Sequence, residues 1–160
     1  MTRWLVAALV LGAAFVALRL VVPRLGASVA GGPSAGGERR LADCPGSPNC
    51  RGSDASREDR RVAPLPLHGT VEETMTALVA LVEDRDGARV VRRDADYLHA
   101  TFSSPIMGYV DDVEFLVDEA SGTVRLRSAS RLGRSDLGAN ARRVEALRAA
   151  WEGRTGGTGA

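Results

Sequence analysis

The chain has 160 residues, with 21 basic and 20 acidic side chains and a formal net charge of +1. That length holds one ordinary domain with attachments, and 44% hydrophobic residues argue against a disordered chain. The near-neutral balance argues against a protein held to nucleic acid through phosphate contacts, and every one of the 21 basic residues is Arg.

The first element is apolar. Trp4 to Val22 contains a single charge, Arg19. At 1.5 Å per residue the run spans about 28 Å, close to the hydrocarbon thickness of a bilayer. We expect a membrane anchor over residues 1–25, with Arg19 near enough to one end to snorkel to the headgroups. The competing reading is a signal sequence cut after Ser28-Val29-Ala30, although Arg19, Pro23 and Arg24 would make its final region long and basic. Residues 26–43, rich in Gly, Ala and Ser, read as a flexible linker.

Orientation rests on two opposed signals. Arg19, Arg24, Arg39 and Arg40 after the span lean towards a cytoplasmic domain by the positive-inside tendency. Cys44 and Cys50, the only cysteines, bracket Pro45-Gly46-Ser47-Pro48-Asn49, a segment that turns the chain back and brings the thiols within bridging range. A disulfide there would place the domain outside the cytoplasm, and we weigh it above the charges. A reduced pair remains the alternative. A zinc site is the weakest reading, because neither residue belongs to a Cys-x-x-Cys pair.

From 44 to 152 the pattern predicts one α+β domain: an antiparallel sheet of about four strands with two helices on one face. Gly52 to Arg61 reads as loop. Thr70-Val71-Glu72-Glu73 is a capping box, and Val71, Met75, Leu78 and Val82 trace one helical face up to a stop at Gly87. Period-two alternation marks Ala88–Arg93, Tyr97–Ser103, Val110–Asp118 and Thr123–Ser130 as strands. A hairpin turn at Glu119–Gly122 would set Phe115 opposite Leu126 and Glu114 opposite Arg127. The same counting sets Leu98 opposite Phe115 and His99 opposite Glu114. Leu98, Ala100, Phe102, Val113, Phe115, Val117, Val124 and Leu126 then share an apolar face. Tyr97, His99, Thr101, Asp112, Glu114, Arg125 and Arg127 share a polar, solvated one. A second helix runs from about Ala139 to Glu152, burying Val144, Leu147 and Trp151 and turning Arg142, Arg143 and Arg148 outward. Residues 153–160 read as a disordered tail.

Two clusters carry chemistry. His99, Glu114 and Asp112 are the candidate acid/base set, weighed against plain cross-strand ion pairing. Asp111 and Asp112 fall on opposite faces of one strand, so they do not grip one cation, and no metal is expected. The second cluster runs through Arg127, Ser128, Ser130, Arg131, Arg134, Asp136 and Asn140 into a helix start. It reads as an anion or ligand site, weighed against ordinary capping by Asp136 or Asn140. No Gly-x-Ser-x-Gly or phosphate-loop motif is present. His68 reads as a loop residue, and Ser104–Tyr109 as an apolar turn able to cover the core or touch a bilayer.

Several spaced blocks resemble a bacterial and plant family known as domain of unknown function 1499. They are Cys44-Pro45-Gly46-Ser47-Pro48-Asn49-Cys50, Tyr97-Leu98-His99-Ala100, Val110-Asp111-Asp112-Val113-Glu114-Phe115, Arg127-Ser128-Ala129-Ser130-Arg131 and Ser135-Asp136-Leu137-Gly138, completed by Asn140 and Arg143-Val144-Glu145. Ala141 departs from a usually basic position. The resemblance implies no activity, substrate or cofactor, but it makes the cysteine loop and the Asp-Leu-Gly turn look like one site.

The expectation is therefore a membrane-tethered, non-enzymatic domain of the cell envelope. It would bind a small anionic or lipid-like ligand or a partner protein, and no nucleic acid. The alternative is a hydrolase-like enzyme using His99, Glu114 and Asp112. No cofactor is expected in either reading.

Overall fold

A computed structural model describes residues 2–35 and 38–155. Helix α1, Thr2–Val21, is long and apolar enough to cross a membrane, a property it shares with signal sequences. Its large side chains find no cover in the protein, Trp4 and Leu9 among them. A 3₁₀ turn at Val22–Arg24, with Pro23 at its start, ends it.

The domain is a six-stranded antiparallel sheet with two helices on one face. The four long strands are β3 (Ala88–Arg93), β4 (Tyr97–Ser103), β5 (Val110–Asp118) and β6 (Thr123–Ser130), with the bounds that alternation predicts. Their register also agrees with the count: Leu98 faces Phe115, His99 faces Glu114, and Glu114 faces Arg127. Two short strands add to the expected four. β1 (Cys50–Gly52) pairs with Arg127–Ala129 and β2 (Leu65–Pro66) with Thr123–Val124, so both cover the outer edge of β6. Strands of two or three residues show no periodicity, so alternation reveals neither; the segment 52–61 between them, read as loop, carries a 3₁₀ turn at Glu58–Arg60. The opposite edge, β3, carries Arg89, Arg92 and Arg93 and a bulge at Val91, features that discourage pairing with another chain.

Helix α2 (Val71–Glu83) opens on the expected capping box: Glu73 N–H donates to Thr70 Oγ1 and Thr70 N–H to Glu73 Oε2. It ends at Glu83, earlier than the glycine stop suggested. Gly87, at φ 73°, instead opens β3, where a Cβ would lie 2.6 Å from the Ser103 carbonyl oxygen. Helix α3 runs Ala139–Thr155, so residues 153–155 are helical and not tail; 156–160 lie outside the described residues. Val144, Leu147 and Trp151 pack with Met75, Leu78, Leu81 and the whole predicted apolar sheet face in one core. Trp151 Nε1 donates to the Pro66 carbonyl, and its ring stacks on His68, which ties the expected loop histidine to the core edge.

The segment 26–43 does not behave as a free tether. Ser28, Val29 and Gly32 hydrogen-bond to side chains on the sheet, and Leu41 is buried with Tyr97 and Leu116. Small residues read as flexible in sequence because they bring no apolar area, yet that same smallness lets a backbone approach a polar surface closely. Gly36 and Gly37 of this segment lie outside the described residues.

Candidate functional site

The sheet's second face is polar, as alternation requires, but it is not solvated. Asp112 and Glu114 are 0% exposed, Arg127 3% and His99 7%. Neighbouring charges and residues 28–32 cover them. Asp112 Oδ1 accepts from His99 Nε2 at 2.7 Å, Arg131 Nη2 at 2.8 Å and Ser28 Oγ at 3.0 Å. Its Oδ2 accepts from Arg131 Nε at 3.0 Å and the Val29 amide at 2.8 Å. Burial pushes the Asp112 carboxyl up, but the hydrogen bonds from His99, Arg131 and Val29 outweigh it and hold the group below its ordinary range. Arg131 shifts the opposite way, up, for the same contact.

Glu114 is built alike. Tyr97 Oη at 2.7 Å and the Gly32 amide at 3.0 Å donate to Oε1, and Arg127 Nη1 at 2.8 Å donates to Oε2. Burial, then the Glu114 carboxylate, raise the Tyr97 hydroxyl well above its usual value, so it stays a donor. Alternation places Tyr97 on this face, yet nothing local marks it as the partner of a residue seventeen positions away.

Of the expected acid/base set, His99 and Asp112 meet, while Glu114 is held by Tyr97, Gly32 and Arg127, and the order is unsuited to activating a nucleophile. Ser28 and His99 both contact Asp112 Oδ1, so the carboxylate stands between the hydroxyl and the imidazole. In a serine hydrolase the imidazole stands between the hydroxyl and the acid. Asp111 points to the opposite face, as expected, and pairs with Arg143 at 2.6 Å. Among the described residues no group of three metal-ligating side chains forms a metal site.

The second cluster divides. Asp136 caps α3, accepting from the Asn140 amide at 2.7 Å and the Gly138 amide at 3.0 Å. Its own carboxyl lies below its usual value: burial raises it, but the Asn140 and Gly138 donors prevail. The helix N-terminus therefore already holds a carboxylate, the capping arrangement weighed against an anion site. Arg127 and Arg131 are held by Glu114 and Asp112, while Arg134 is exposed and makes no hydrogen bond or ion pair among the described residues. Arg143 does not turn outward as predicted. It reaches Asp111, Ser128 and Asn140 and lies 5.0 Å over the Phe102 ring, because the buried Asp111 carboxylate on β5 attracts it inward.

Asn140 joins the parts. Fully buried, it donates to the Asn49 carbonyl, Ser130 Oγ and Asp136 Oδ2, and it accepts from Ser128 Oγ and Arg143. Asn49 also donates to the Gly133 carbonyl at 2.8 Å. Asn49 belongs to the cysteine loop, closed by a Cys44–Cys50 disulfide and braced from within by buried Arg60, which donates to the Pro45 and Ser47 carbonyls. The cysteine loop and the Asp-Leu-Gly turn are one structure. Neither Asn49 nor Arg60 has a local sequence signal, since each acts through contacts many residues away.

Beside this knot lies a cleft of about 320 Å³ between the Ser104–Tyr109 turn, the Leu132–Ala139 turn and the start of α3. Val110, Leu132, Leu137 and Tyr109 line its sides, with Ser104, Ser130, Asp111 and Arg143 among the polar groups. Leu137 is 85% exposed and holds φ 51°, the left-handed region that a branched side chain avoids. Ile106, in the neighbouring turn, is 68% exposed. Residues leaving α1 touch both walls: Arg19 donates to the Pro105 and Ile106 carbonyls, Pro23 abuts Gly108, and Gly26 abuts Leu132. The cleft is lined by neither His99 nor Glu114, and by neither Arg131 nor Arg134.

Neither the curated proteins nor the solved structures contain a match to the chain. A family model described as "Protein of unknown function (DUF1499)" matches residues 40–151, which include the cysteine loop, the sheet and the Asn140 knot. The chain accordingly belongs to the DUF1499 family.

Proposed function

We propose that this protein is a non-enzymatic, membrane-anchored domain of the cell envelope that holds a lipid-like ligand in the cleft between the Ser104–Tyr109 and Leu132–Ala139 turns. The domain would sit outside the cytoplasm, where the Cys44–Cys50 bridge is stable. One observation carries the reading: exposed apolar side chains, including a Leu137 held at φ 51°, gather around a cleft whose walls contact the end of an apolar helix. An exposed leucine in a strained backbone costs stability, and such strain gathers where it serves binding. A neighbouring acyl chain matches the apolar walls, and the serines suit its polar end. An anionic ligand without an apolar part has less support, since Arg127, Arg131 and Arg143 each already hold a carboxylate.

The hydrolase reading draws on the 2.7 Å His99–Asp112 contact, but Arg131 and residues 28–29 saturate that carboxylate. The two readings separate by experiment. The full chain is extracted in mild detergent, and retained lipid is measured by native mass spectrometry. Leu132→Asp and Leu137→Asp should each reduce bound lipid about tenfold or more by placing a charge on an apolar wall. Unchanged retention in both variants would refute the cleft. Hydrolysis of an ester substrate that disappears with His99→Ala would support the enzyme instead.

A further inference from the structure

We propose that the polar face of the sheet is a groove that reads peptide backbone, and that the chain's own residues 28–32 occupy it as an intramolecular ligand. The inference rests on the pattern of contacts. Two buried carboxylates at alternate positions of β5, Asp112 and Glu114, each accept a main-chain amide from the strap, Val29 and Gly32. Arg127 Nη1 returns the contact by donating to the Val29 carbonyl at 2.9 Å. Donor and acceptor groups of the strap backbone are thus both read, the chemistry by which proteins recognise peptides without regard to most side chains.

The path of the strap also requires small residues at two positions. A Cβ on Gly31 would lie 2.9 Å from the Ala42 Cβ, and Gly32 holds φ 67°. Ser28 is short enough to place its hydroxyl on Asp112 at 3.0 Å. The domain completes each carboxylate's other partnerships by itself, through His99 and Arg131 for Asp112 and through Tyr97 and Arg127 for Glu114. Withdrawal of the strap would therefore leave a formed surface with two acceptors facing outward. The strap lies outside the residues 40–151 that match the family model. The ligand class that competes with it is a peptide like the strap, with a small hydroxyl residue where Ser28 stands and glycine where Gly32 stands.

The probe is a fluorescein-labelled peptide with the sequence of residues 26–35, titrated against the full chain in detergent micelles and followed by anisotropy. The unaltered chain should bind it weakly, because a tethered competitor acts at an effective concentration on the order of millimolar. Val29→Pro combined with Gly32→Val removes one amide and strains the other position, and it should tighten peptide binding about tenfold or more by vacating the groove. A peptide N-methylated at the Val29 amide should lose that gain. Equal binding of the methylated and plain peptides, or no binding by a variant with native near-ultraviolet circular dichroism, would overturn the proposal. Should the variant fail to fold, hydrogen exchange on the unaltered chain decides: Val29 and Gly32 amides should exchange slowly, and exchange at the free-peptide rate would overturn it. No lipid enters this assay, so its outcome is independent of the cleft.

Discussion

The two faces of one sheet are closed by different physics. On one, Leu98, Phe115, Val124 and Leu126 lie under α2 and α3, where burial of apolar area at about 25 cal/mol per Å² is non-directional and tolerant of small shifts. On the other, Asp112 and Glu114 are equally buried, but under arginines, a tyrosine hydroxyl and two main-chain amides. Buried charges are stable only when every lone pair is matched, so this face depends on geometry where the first depends on volume. The core face is a means of folding. The polar face additionally recruits residues 28–32, which no apolar surface would hold in one register.

That contrast can be broken at its strongest point first. Asp112→Ala should cost about 3–5 kcal/mol by leaving Arg131 and His99 without their acceptor, and Phe115→Ala about as much by opening a core cavity. Acid should tell them apart in thermal unfolding of the detergent-solubilised chain. The Asp112 carboxyl is lowered in the folded state, so its contribution is full above the ordinary carboxylate range near pH 4 and fades as pH falls towards its folded value. The unaltered protein and Phe115→Ala should lose stability through that window, and Asp112→Ala should lose distinctly less. Parallel pH profiles for all three would remove Asp112 from the account.

A smaller effect is expected at the junction of the faces. Reduction of the Cys44–Cys50 bridge, which closes a short loop, should cost about 2 kcal/mol. Because Asn49 bonds to Gly133 and Asn140, hydrogen exchange should quicken at 131–140 as well as in the loop. Quickening confined to 44–50 would show that the two are not coupled.

The smallest effect has the opposite sign. Leu137→Gly relieves a left-handed backbone and should raise stability by about 1 kcal/mol while weakening lipid retention. A variant that is both less stable and equally lipid-bound would mean that Leu137 is structural.

Strand bounds, pairing register and the sidedness of the alternating strand residues from Tyr97 to Arg127 were legible because period-two alternation is a local property of the backbone. The capping box and the apolar stripe of α2 were legible for the same reason. His99, Asp112, Glu114 and Arg127 could be placed on one face, and Cys44 near Cys50, by counting alone. What covered that face could not be counted. The strap, Arg60 inside the cysteine loop, the inward turn of Arg143 and the meeting of Asn49 with Asn140 each join residues far apart in the chain. A buried polar group takes whichever partner the fold brings within about 3 Å, and that choice leaves no periodicity. Alternation in the chain determined which side chains stand together; tertiary packing alone decided that they are sealed from water, and by what.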